Sequence, residues 1–263
     1  MSDHNASLKE TVSGFGRKAI SELGETVRFF AGVAAVWFVL VTFGFAAFHI
    51  PSESMQPALQ VGDRVLVSKW AYGYSRHSLP LGIGYLLPDS WSGRILGSVP
   101  ERGDVVVIRD PNQGINLIKR VVGLPGDTIE VRAGRLYING ELVGRERLVR
   151  EGLDPLRYRD RDGSIVQVSE YIETLPNDRT HTIYERGDDQ RYDNMGPFRV
   201  PADHVFLMGD NRDRSEDSRA PYGIGYVHTD QIVGRAETVL FTFARCRNEE
   251  GLYCPPWRVW RGL

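Results

Sequence analysis

The chain has 263 residues, with 32 Lys+Arg against 34 Asp+Glu and a formal net charge of −2. That length fits one large domain or two modest ones, each able to bury its own core. The balanced charge argues against a general nucleic-acid binder. Two cysteines exclude a disulfide framework, and a 41% hydrophobic fraction excludes a polytopic membrane protein.

Residues 1–28 read as a cytoplasmic tail, either with a short amphipathic helix over residues 8–23 or without fixed structure. Residues 29–50, FFAGVAAVWFVLVTFGFAAFHI, carry no Asp, Glu, Lys or Arg. As a helix they would reach about 33 Å, enough for a bilayer core of about 30 Å. The run is too long for a cleaved signal peptide, and no small-residue cleavage site closes it. Arg17, Lys18 and Arg28 precede the run, so the positive-inside bias favours a cytoplasmic N-terminus and an outer body.

After Pro51 the pattern becomes extended. Short β-branched runs at 64–70, 104–109 and 115–122 read as strands, and 131–143 as a hairpin turning at Ala133–Gly134 and Asn139–Gly140. Pro125 and Gly126 suit a type II turn. The expected fold class is mostly β: a membrane-anchored, antiparallel sheet or barrel-like body, a small inserted lobe and one N-terminal transmembrane helix. The body comprises 51–143 and 201–245, the lobe 144–200 with strands at 165–171 and 181–184, and the C-terminal tail 246–263. The stretch 71–100 is rich in Gly, Ser, Pro and large apolar residues. It reads either as a membrane-contact surface or as a hairpin packed on its own sheet.

Familiar site patterns are missing. The histidines form neither HExxH nor HxH, the cysteines form no CxxC, and neither GxGxxG nor a GxxxxGKS/T loop occurs. No metal and no organic cofactor is expected. What remains is Ser52 and Ser54 flanking Glu53, then Lys119 within INLIKRVV. Strand alternation puts Lys119 with Leu117 and Val121 on one otherwise apolar face. An edge lysine guarding against aggregation is the ordinary alternative. Desolvation lowers a buried lysine from about 10.4; reaching about 8 corresponds to roughly 3 kcal/mol. A neutral amine can then deprotonate a serine, giving a Ser–Lys dyad. Residues 206–223 pack seven charged side chains into one stretch. This is either a solvated loop or a buried network of paired carboxylates and guanidiniums, in which Ser215 or Ser218 orients the lysine.

PSESM (51–55), GDRVLVSKWAYG (62–73), RGDVVVI (102–108), IKRVVGLPGD (118–127) and GDNRDRSEDSRAPYG (209–223) together resemble the ordered boxes of bacterial type I signal peptidases, the membrane-anchored leader peptidases. The resemblance runs over roughly residues 29–237. It implies Ser54 as nucleophile, Lys119 as general base, Ser52 as an oxyanion-hole hydroxyl and Ser215 as the hydroxyl orienting the lysine. Arg120, Asp210, Asp217 and Arg219 match supporting charges, with Asp210 paired to Arg120 behind the base. Phe48, Ile50, Leu117 and Ile118 match the lining of a narrow apolar cleft that selects small residues before the cleaved bond. The implied partners are signal-peptide-bearing precursor proteins and a lipid bilayer, with no nucleic acid. The implied form is a monomeric, single-pass inner-membrane protein, its catalytic body on the periplasmic or outer side. Two departures stand out: Ala58 replaces a frequent Thr, and Glu53 replaces a frequent Gly. A carboxylate there must pair or face solvent, because beside a developing oxyanion it opposes catalysis.

Two other functions share these features: a specialised Ser–Lys processing peptidase of a conjugation or pilus system, and a membrane-tethered β scaffold. Cys246 and Cys254, eight positions apart in a body facing an oxidising compartment, are expected to form a disulfide worth roughly 2.5 kcal/mol.

Overall fold

The computed structural model describes residues 22–79, 84, 86, 88, 93–160, 162–243 and 249–263. The proposed tail helix at 8–23 therefore lies almost wholly outside the described residues. So do Cys246 and most of the apolar stretch 79–91.

One helix, α1 (Glu22–Gly44), is long and apolar enough to cross a membrane. Its 23 residues give a length of about 34 Å. Its apolar side chains are exposed, including Phe29, Trp37 and Leu40, and its last five residues wind as a π-helix. The apolar run expected as a single helix over 29–50 divides at Gly44. Residues Phe45–His49 form strand β1 instead. The cause is non-local: β1 pairs with β2 (Asp63–Ser68) along its whole length, from Phe45 opposite Ser68 to His49 opposite Arg64.

The remaining strands follow as β3 (Val105–Arg109), β4 (Asn116–Gly123), β5 (Thr128–Arg132), β6 (Arg135–Ile138), β7 (Glu141–Leu142), β8 (Gly144–Arg147), β9 (Leu156–Arg159), β10 (Ile165–Thr174), β11 (Thr180–Glu185), β12 (Met195–Arg199), β13 (His204–Met208), β14 (Val227–His228), β15 (Ile232–Thr242) and β16 (Val259–Gly262). The mostly β, antiparallel body expected from the sequence is present. Its main sheet runs β1-β2-β15-β3-β4-β13-β14, with β16 added to β15.

A second sheet, β12-β5-β6-β7, holds the predicted hairpin. Ala133, Gly134, Asn139 and Gly140 all have positive φ, which suits the two-residue turns whose twist matches the strands. A third sheet contains β8 to β11. Within the stretch 144–200, these four strands pair among themselves. The last strand of the stretch, β12, returns to pair with β5.

Alternation along the strands builds two cores on the main sheet. Val65, Val67, Val105, Val107 and Ile118 pack with Ile50, Met55 and Leu59. Val106, Ile108, Val121 and Leu207 pack in another cluster, with Leu117 against it. The third sheet has its own small core of Leu156, Tyr158, Val166, Val168 and Tyr184.

Of the stretch 71–100, the described flanks are anchored. Arg94 donates to the carbonyls of Tyr72, Gly73, Thr229 and Ile232 at 2.7–3.0 Å. Leu86 and Leu96 are exposed. Cys254 is disulfide-bonded.

Candidate active site

The loop after β1 carries Ser52, Glu53 and Ser54. It closes into turns through Gln56 N–H to the Glu53 carbonyl at 3.0 Å and Leu59 N–H to the Met55 carbonyl at 2.8 Å. Ile50 before the polar tip and Met55 and Leu59 after it are buried in the first core, so the turn is nailed down by apolar side chains on either side of Ser52–Ser54. Asn211 fastens it from above. Its backbone N–H donates to the Ser54 carbonyl at 3.1 Å, and its side-chain Nδ2 to the Glu53 carbonyl at 3.2 Å.

Lys119 projects from the middle of β4, directly opposite Val106. It is 4% exposed, and Ser54 is 8% exposed. Lys119 Nζ donates to Ser54 Oγ at 2.7 Å, across 65 residues of chain. Burial is the main influence on the amine and lowers its pKa to about 8. The Asp217 and Asp210 carboxylates act the other way, and the Arg219 charge assists burial. Ser52 Oγ lies 3.3 Å from Ser54 Oγ.

The charged box after β13 is buried, not a solvated loop: Asp210, Arg212, Asp217 and Arg219 are each 3% exposed or less. Each charge is paired, as burial requires. Arg120 Nε and Nη2 grip both oxygens of Asp210 at 2.8 and 2.7 Å, and its Nη1 donates to the Gly103 carbonyl at 2.7 Å. Arg219 grips Asp217 with two bonds of 2.9 Å. Burial pushes the Asp217 carboxyl up, but the Arg219 guanidinium and the Gly209 N–H outweigh it and hold the pKa below the usual range.

Ser215 is buried within this box. Its Oγ is close enough to Asp217 to help keep that carboxylate charged, yet meets full hydrogen-bond geometry with no group among the described residues, Lys119 included. Ser215 and the Ser54 carbonyl both press on Gly209, where a Cβ would collide with each of them. Ser218, the other hydroxyl considered for orienting the lysine, is used elsewhere. Its Oγ accepts from the Leu207 N–H at 2.9 Å and ties the box to β13.

Of the four residues matched to the cleft, Phe48, Ile50 and Ile118 meet in the first core. Leu117 packs on the opposite face of the sheet, as alternation along β4 demands. Glu53 is paired: its carboxylate lies 3.2 Å from Arg214 Nε.

Several supporting residues were missed from sequence. Glu173 on β10 grips Arg212 with both oxygens, and Arg212 Nε donates to the Gly209 carbonyl at 3.3 Å. Tyr184 N–H donates to the Asp210 carbonyl at 2.9 Å. The third sheet thus touches the box at several points. No local sequence signal marks these contacts, because the partners come from separate strands.

A polar cavity of about 350 Å³, lined by Asp104, Arg120, Arg179, His181, Arg235 and Glu237, lies behind this assembly. It does not include Ser54 or Lys119.

Residues 23–241 match the family model described as signal peptidase, peptidase S26. The chain is 35% identical over 202 residues to signal peptidase I of Rickettsia typhi, covering 74% of this chain and 71% of that one. It is 41% identical over 226 residues to signal peptidase I of Pseudomonas aeruginosa, covering 82% and 72%. With such matches over most of its length, and a single N-terminal helix fit to span a membrane ahead of a mostly β body, the chain belongs to the signal peptidase family of S26 peptidases.

Proposed function

We propose that this membrane-bound peptidase is a Ser–Lys endopeptidase that removes signal peptides from exported precursors, cutting after small residues. The observation that carries this reading is the 2.7 Å bond between Lys119 Nζ and Ser54 Oγ in a site that burial dries. An exposed lysine is protonated at neutral pH and accepts no proton. Lowered to about 8, the amine is neutral in about one molecule in ten at pH 7.

Neutral Lys119 takes the Ser54 hydroxyl proton as Oγ attacks the scissile carbonyl. The Ser54 N–H and the Ser52 hydroxyl donate to the tetrahedral oxyanion. The C–N bond breaks, and the mature chain leaves as an amine carrying the proton from Lys119. A water, deprotonated by the same lysine, then hydrolyses the acyl-enzyme and frees the signal peptide. Arg120–Asp210 and Asp217–Arg219 hold the walls of the site, and Ser215 orients the lysine once the substrate is seated. The substrate lies extended, with its small side chains against Phe48, Ile50 and Ile118, which meet on one face of the sheet, while Leu117 backs that sheet from the other face. The N-terminus is cytoplasmic, the body faces the outer side of the inner membrane, and the enzyme works as a monomer.

The test is incubation of the detergent-solubilised chain with an exported precursor, with mass readout of the products. Ser54→Ala and Lys119→Ala should each cut cleavage by about a thousandfold or more. Turnover within a few-fold of wild type in either folded variant would sink the dyad.

A further inference from the structure

The family match ends at residue 241, so the C-terminal tail inherits no role from it. The tail nevertheless runs from the third sheet to the nucleophile turn. Glu249 pairs with Arg159. Tyr253 packs on the core of that sheet, its N–H donates to the Arg157 carbonyl at 2.6 Å, and the Arg150 guanidinium lies 5.0 Å over its ring. Cys254 is fixed by its disulfide, and Trp257 Nε1 donates to the Thr242 carbonyl at 3.1 Å. β16 then pairs with β15, Val259 opposite Phe241.

Between Trp257 and β16 one side chain turns inward. Arg258 is 5% exposed. Its Nη1 donates to the Ala58 carbonyl at 2.7 Å and its Nη2 to the Pro57 carbonyl at 2.8 Å. Asp63 lies 3.4 Å from Nη1 and accepts the Gln60 N–H and the Thr242 hydroxyl. Pro57 and Ala58 are the third and fourth residues after Ser54. The turn carrying Ser54 is therefore held at its start by Asn211 and at its end by a planar two-pronged donor from the far end of the chain.

We infer that Arg258 is a positioning residue for the nucleophile, the tail acting as a clasp that sets Ser54 Oγ against Lys119 Nζ. The inference rests on the Ser–Lys reading. Chemistry sensitive to misplacements of an ångström loses rate about a hundredfold when a support fails. A clasp acting on the attacking atom alters kcat, whereas substrate contacts alter KM.

The experiment uses the full chain in detergent and an exported precursor, with wild type, Arg258→Ala and Arg258→Lys compared. In Arg258→Ala, kcat should fall by about tenfold or more, with KM within about twofold and the acidic limb of the pH profile in place. Methylguanidinium should restore part of the lost rate. Arg258→Lys should fall between the two, because one ammonium does not reproduce a planar fork on two carbonyls. Wild-type kcat in Arg258→Ala, or a loss carried by KM alone, overturns the proposal. Should the alanine chain fail to fold by near-ultraviolet circular dichroism, wild-type kcat in Arg258→Lys overturns it equally. A wild-type chain that leaves the precursor uncut, or a Ser54→Ala chain that cuts it, is instead a failure of the peptidase reading, and the clasp falls with it.

Discussion

Lys119 stands directly across the β3–β4 ladder from Val106, so the amine that bonds Ser54 faces hydrocarbon on the neighbouring strand. Desolvation there lowers its pKa to about 8, against about 10.4 in an unfolded chain. The rate should rise with pH along a limb centred near 8 and level off above it. Stability should follow the same group. Below about 8 the amine is charged in both states, and its burial costs about 3 kcal/mol. The cost is relieved as pH rises from about 8 to about 10.4, where the unfolded chain binds more protons than the folded one. Burial, followed by the Arg120 and Arg212 charges, holds His181 well below the usual imidazole range, so histidine should not set the limb. pH–rate curves for wild type and His181→Gln check both points; loss of the limb in the variant would transfer the base role.

Gly209 tests the close approach at the heart of the site. A Cβ there would strike the Ser215 hydroxyl and the Ser54 carbonyl. One of these neighbours is backbone, and the turn it belongs to is held by Asn211, so neither can yield cheaply. Gly209→Ala should cut kcat by about a hundredfold while leaving far-ultraviolet circular dichroism unchanged. Normal turnover would show that the turn carrying Ser54 tolerates displacement.

The strand pattern was legible because alternation and turn chemistry are local. Leu117 and Lys119 share a face, Ile118 and Arg120 take the other, and each hairpin turn has a glycine at positive φ in its second place, Gly134 and Gly140. The division of the apolar run at Gly44 was not legible. Nothing within FGFAAFHI stops a helix, and the switch to a strand comes from pairing with β2. The polar supports follow the same rule. The Asp217–Arg219 pair spans two residues and lay within one recognisable box, whereas Glu173 reaches Arg212 over 39 positions and Arg258 reaches Ala58 over 200. Bonds of that separation leave no local trace in sequence.

Arg120 and Asp210 are both buried and share two hydrogen bonds. Removing one partner strands the other. Asp210→Ala should destabilise the body by about 3–5 kcal/mol, and Arg120→Met by a similar amount. The double variant should lose clearly less than the sum, because the second change removes the stranded charge. Thermal unfolding of the four detergent-solubilised chains completes the cycle. Additive losses would mean that the pair is not coupled.

Glu53 places a carboxylate between the two hydroxyls proposed to flank the oxyanion. Its carboxylate is 9% exposed and lies 3.2 Å from Arg214 Nε, and Arg214 also pairs with Asp160. The guanidinium draws the carboxylate's field towards itself and away from the position proposed for the scissile carbonyl. Arg214→Ala should leave that field uncompensated in a poorly solvated site and lower kcat by about tenfold, corresponding to about 1.4 kcal/mol in the transition state. Glu53→Gln alone should be near neutral for kcat, since an amide keeps the shape and removes the opposing charge. Combined with Arg214→Ala, it should restore most of the lost rate. This reciprocal pattern separates electrostatic compensation from simple bracing of the turn. If Arg214 only braced the loop, the double variant would be as slow as Arg214→Ala.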